Sequence, residues 1–170
     1  VNEKYEGRHY LAGDEWNLHL AKSHIEGIGG AYVGIGSDQS YLLMTWQRPE
    51  LVFQVDYDPW VIDVHRMHHL FFVNASSIDD YIKHWSKKSL KRVYALLKEK
   101  VSEPADLERL QKMWKLAQKR VYPRLKRLRR ELKKNKVDSY LTNVEHFEYV
   151  VAMVKAGRIR PICANLLDDE

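Results

Sequence analysis

Two glycines and one aspartate carry the spacing of a nucleoside site. A short apolar run, Ala31 to Ile35, contains Gly34 and stops at Gly36, and Asp56 follows twenty residues later at the end of a second run, Leu51 to Val55. Both runs are short and rich in Val, Ile, Tyr and Phe, so they read as buried strands. Between them, Ser37 and Asp38 are N-cap residue types for a helix over Gln39 to Gln47. A glycine at a strand-to-helix bend lets a ligand approach the backbone, and the helix start offers free N–H groups and the positive end of its dipole. Asp56 stands where a nucleotide-binding βαβ unit holds ribose hydroxyls. The third glycine of the dinucleotide fingerprint is absent, with Gln39 in its place. A plain βαβ unit with a tight turn and a solvated Asp56 is therefore the alternative.

Other residues could do chemistry in principle. His65, His68 and His69 share one face of a helix, as metal ligands would, with only Asp63 near them. They are read as structural, and no metal is assigned. Cys163 is expected inside a buried strand as a small core hydrophobe rather than a reactive thiol. Tyr57, Trp60 and Trp46 lie near the turn, where a ring can stack on an adenine or a substrate, with Trp46 read as core. No residue is assigned a catalytic role.

The charge is strongly uneven. Between Lys112 and Lys136 twelve basic residues face a single acid, Glu131, while the whole chain carries only +5, so the remainder is net acidic. Such a stretch can meet nucleic acid, an acidic partner, or only solvent. The apolar stripe Trp114, Leu125, Leu128 and Leu132 favours a packed helix with a solvated basic back.

The elements that must hold these residues follow from caps and periodicity. Val1 to Gly13 is polar, with Tyr5 and Tyr10 as apolar anchors, and Asp14 caps a helix whose face is Trp16, Leu20 and Ile25. Asp58-Pro59 starts a helix reaching Phe71, Ser76 to Asp80 begins another, and Ser89 to Lys100 is amphipathic. A long helix runs from Ala105 toward Asn135, kinked or restarted at Pro123. Ser139 to Leu141 reads as a short extended piece, Asn143 caps a helix closed by Gly157, and Ile159 to Ala164 is a third strand followed by Asn165 to Asp168.

These elements make an α/β fold: a Rossmann-like parallel sheet of at least three strands in one domain over residues 1–170. A helical insertion over 59–158 separates the second and third strands and caps the ligand edge, since a crossover needs only about a dozen residues. The chain is long enough for its own core. No stretch approaches the ~18 apolar residues of a membrane span, no signal-peptide pattern is visible, and a lone cysteine allows no internal disulfide. The expected compartment is the cytoplasm.

The segments Gly29 to Gln39, Val55 to Trp60 and Gly157 to Leu167 together resemble an uncharacterised bacterial family whose members look like class I S-adenosylmethionine-dependent methyltransferases. The resemblance covers roughly residues 14–168. It implies S-adenosylmethionine as cofactor, a small-molecule substrate, and cofactor contacts at Gly34, Gly36 and Asp38, at Asp56 and at Asn165. It also implies a further strand beyond this sequence, so the domain is expected to be incomplete at its C-terminus. The alternative is a non-catalytic module that binds a nucleotide-like ligand or a protein.

Overall fold

The computed structural model describes residues 9–165; Tyr5 and residues 166–168 therefore lie outside the described residues. The fold is mixed α/β. Strands β1 (Ala31–Ile35), β2 (Leu51–Asp56) and β3 (Ile159–Cys163) form a parallel sheet in the order β1-β2-β3. Helix α1 (Lys22–Ile25) precedes the sheet and α2 (Gln39–Gln47) joins β1 to β2. Between β2 and β3 lie α3 (Pro59–Asn74), α4 (Ile78–His84), α5 (Leu90–Lys100), α6 (Pro104–Lys134) and α7 (Val144–Lys155). No described helix is long and apolar enough to cross a membrane.

Local chemistry sets most of the boundaries. The carboxylate of Asp58 accepts the Trp60 N–H, with Pro59 in the first turn of α3. Ser77 and Asn143 accept the N–H groups of Asp80 and His146 in the same way, starting α4 and α7. Each cap satisfies an amide that the helix itself leaves free. The core lies between the sheet and the helices, with Tyr41, Leu42, Met44, Val52, Phe71, Phe72, Tyr81 and Trp114 all essentially excluded from solvent.

Among the described residues the helices pack on one face of the sheet. Gly34 pairs with Gln54, and Gln54 with Pro161; this face meets α2 and α3, and Val52 and Gln54 on it are fully buried. The opposite face carries Val33, Ile35, Phe53, Val55 and Ile162; Val55 is buried, whereas Val33 and Ile35 are 61% and 62% exposed. Parallel sheets ordinarily have both faces covered.

Several expectations are corrected. No helix spans Trp16 to Ile25: Asn17 adopts a left-handed conformation, and only a 3-10 turn and the four-residue α1 follow. Trp16 and Leu20 are exposed, and Trp16 instead lies against the Arg127 guanidinium, 4.1 Å from its ring centroid. Tyr10 anchors nothing, being 69% exposed. The helix does not restart at Pro123, which sits inside one continuous α6. Ser139 to Leu141 is a turn, held by the Ser139 N–H donating to Thr142 Oγ1. Cys163 is exposed rather than buried, because β3 ends at the rim of the sheet.

Candidate functional site

The expected site lies at the C-terminal ends of β1 and β2. Gly36 leaves β1 with φ +86°, a conformation costly for residues bearing a Cβ. Its N–H faces the Asp56 carboxylate, which also receives the backbone N–H groups of Tyr57 and Asp58, the latter at 2.8 Å. Burial pushes the Asp56 carboxyl up, against these hydrogen bonds, which favour its charge.

A buried polar chain supports the turn from behind. His65 Nε2 lies 2.8 Å from the Gly36 carbonyl, and its Nδ1 lies 3.0 Å from the Tyr41 hydroxyl. A carbonyl can only accept, so Nε2 carries the proton and Nδ1 is the acceptor. Burial lowers His65 to about 4, which keeps the ring neutral, as this tautomer requires. The Tyr41 hydroxyl also approaches Gln54 Oε1 at 3.3 Å; Gln54 Nε2 donates to Ser40 Oγ, which donates to the Ser37 carbonyl. The turn is therefore fixed through side chains on α2, β2 and α3.

A segment of the chain crosses above it. His9 Nδ1 lies 2.7 Å from Asp58 Oδ2, and its ring stacks on Trp60 at 4.7 Å. The Gly13 N–H donates to Asp38 Oδ1 at 2.6 Å. Beneath this strap the Gln39 side chain reaches back to donate to the Ile35 carbonyl at 2.9 Å, and its Oε1 is buried without a partner. A Cβ on Gly36 would come within 2.7 Å of Gln39 Nε2, so Gln39 lies directly on the turn.

Asp38 faces inward. It is fully buried and accepts from Arg124 Nε at 3.0 Å, and Arg124 donates through Nη1 to the Glu15 carbonyl at 2.6 Å. These bonds occupy the carboxylate that the sequence suggested for a helix cap, and no such cap forms. Gly34 is buried, with the Tyr32 ring across it. Asn165 follows β3, whose end is tied to β2 by the Ala164 N–H donating to the Asp56 carbonyl at 3.1 Å. The site thus brings Gly36 and Asp56 into contact, assigns Asp38 to an internal ion pair, and leaves Tyr57 53% exposed at the rim.

The remaining candidates have other occupations. His68 Nδ1 lies 2.7 Å from the Tyr81 hydroxyl, and burial lowers both His68 and His69, the latter to about 3. No cluster of His, Cys, Asp or Glu among the described residues is arranged to hold a metal ion. Trp46 is core, donating from Nε1 to the Asp138 carbonyl at 2.7 Å. His65, Tyr41, Arg124 and the strap were not singled out for this site, because the pairs they make are distant in sequence.

No curated protein matches the chain. Residues 10–170 match the family described as Domain of unknown function (DUF7790), and the chain belongs to that family.

Proposed function

We propose that this chain holds S-adenosylmethionine at the C-terminal edge of its parallel sheet, as a methyltransferase-like protein acting on a small molecule. The observation that carries the reading is the Asp56 carboxylate against the Gly36 N–H at adjacent parallel strand ends. Open α/β sheets bind ligands outside the carboxyl ends of their strands, where strand order reverses. Here the order runs consecutively, so a Rossmann-like completion would add its next strand at the free edge of β1. A right-handed return from β3 would then carry its connecting helix over the uncovered face with Val33 and Ile35.

In this reading Gly36 gives the ligand backbone access, Asp56 takes a ribose hydroxyl, and Tyr57 offers a ring beside it. Asn165, after β3, stands on the adenine side. The unpartnered Gln39 Oε1 offers an acceptor once the strap and Gln39 move aside. The α4–α6 helices act as a cap over this edge, and Arg124 on α6 reaching Asp38 beside the turn supports that placement. Methyl transfer consists largely of aligning a nucleophile with the methyl group, so it asks for few dedicated side chains.

Titration calorimetry with S-adenosylmethionine and S-adenosylhomocysteine tests the reading. Both ligands are expected to bind, and Asp56→Asn to weaken them by about 1.5–3 kcal/mol, the value of a hydrogen bond to a charged group. Gln39→Ala, which clears the turn, is expected to tighten them. The Asp58 N–H donated to the Asp56 carboxylate favours a second reading, a non-catalytic module in which Asp56 only fixes the turn. No heat with either ligand, from a protein whose unfolding stays cooperative, would select that module.

A further inference from the structure

The basic residues of α6 do not stand alone. Positions Lys119, Tyr122, Lys126, Arg130 and Lys133 recur at spacings of three and four, which is one stripe along a helix. That stripe forms one side of two neighbouring clefts of about 720 and 420 Å³ that share Tyr122. The other side comes from a different part of the chain: Lys87 and Lys88 in the 3-10 turn after α4 line the first cleft, and Lys83 of α4 lines the second. Seven cations (Lys83, Lys87, Lys88, Lys119, Lys126, Arg130 and Lys133) thus line the channel formed by these two adjoining clefts. None of them forms an ion pair among the described residues. The one carboxylate lining the channel, Asp79, is already paired with Arg129.

Unpaired like charges facing one another across a channel repel, and a polyanion relieves that repulsion. From Lys119 to Lys133 the helix advances by about 21 Å at ~1.5 Å per residue, long enough for several phosphates. At the junction of the two clefts sits the half-buried Tyr122 ring, with Lys126 Nζ 5.3 Å from its centroid. A basic groove that follows a backbone, with an aromatic ring on which a base can stack, is the arrangement that holds single strands without sequence preference. Three charged neighbours on α6 are engaged elsewhere: Arg124 is buried on Asp38, Arg127 lies against Trp16, and Glu131 meets His19.

We propose that the channel between α6 and the α4–α5 turn binds single-stranded nucleic acid, its phosphates along the two lysine rows and a base on Tyr122. This surface is independent of the sheet edge and of any cofactor there.

Fluorescence anisotropy of the full chain with labelled dT20 and rU20 tests it. Binding is expected to weaken linearly in log–log form as salt rises, with a slope of about −3 to −4 for five contacted phosphates, at ~0.7 per phosphate. Lys119→Gln with Lys126→Gln should flatten that slope by roughly 1.4, whereas Tyr122→Ala should cost about 5- to 150-fold at unchanged slope, the range for one stacked base. Arg160→Gln, on β3, should change neither. The proposal is overturned by no binding at 50 mM salt, or by tighter binding of a duplex of the same length together with indifference to Tyr122→Ala. It is equally overturned if polyglutamate competes as well as the single strands, which would make the partner an acidic protein. Circular dichroism melts matching the parent would show that the exposed substitutions leave the fold intact.

Discussion

Arg124 shows how far a single residue can depart from its neighbourhood in sequence. It belongs to the most basic stretch of the chain, yet its side chain is 3% exposed and its Nε donates to the fully buried Asp38. Removing one partner of such a pair strands a charge in a medium that cannot solvate it. Arg124→Met is expected to lower unfolding free energy by about 3–5 kcal/mol, and adding Asp38→Asn to recover much of that loss. Urea denaturation of the parent and the two variants measures both effects; a loss below ~1 kcal/mol in Arg124→Met would mean the pair does not anchor α6 to the β1–α2 turn. The same side chain ties α6 to Glu15 in the strap, so the double variant would also loosen the cover over Gly36.

The elements themselves were largely legible. β1, β2 and β3 emerge as short apolar runs, and Asp58, Ser77 and Asn143 are helix caps whose donors lie two or three residues away. What local patterns carry is visible locally. The contact between Gly36 and Asp56 was legible for the same reason, as two strand ends in one βαβ unit. The strap from His9 to Glu15, the His65–Gly36 bond and the Arg124–Asp38 pair were not, because they join residues 25 to 109 positions apart, or answer to no periodic signal. Nor did the sequence reveal which sheet face is bare, since both faces of each strand carry apolar residues. The asymmetry has a measurable consequence. Val33→Thr with Ile35→Thr on the bare face is expected to cost less than ~1 kcal/mol, as for exposed positions generally. Leu42→Ala, at a fully buried position on α2, is expected to cost about 2–5 kcal/mol. Comparable losses in both variants would show the face to be covered in solution.

At the scale of the whole molecule, the buried histidines set how the fold responds to acid. Burial lowers His65 to about 4 and His69 to about 3, and His68 lies well below its ordinary value. Each group binds protons more weakly folded than unfolded. Above pH 6.5 all three are neutral in both states and contribute no pH dependence. Below 6.5 the unfolded chain takes up protons that the fold refuses, so stability falls with falling pH until the folded values are reached. Each ring contributes up to ~1.4 kcal/mol per pH unit across that window. The raised carboxyls of Asp56 and Asp63 act in the opposite sense, and the lowered carboxyls of Asp79, Asp80 and Asp106 add to the loss at lower pH. Against a total of about 5–15 kcal/mol for a domain, the buried rings make acid a destabilising condition for this fold. The urea midpoint is therefore expected to drop from pH 6.5 to 4.5, with a shallower slope in His69→Gln. A midpoint flat over that range, or a slope indifferent to His69→Gln, would mean the buried rings take up protons in the fold as readily as in the unfolded chain.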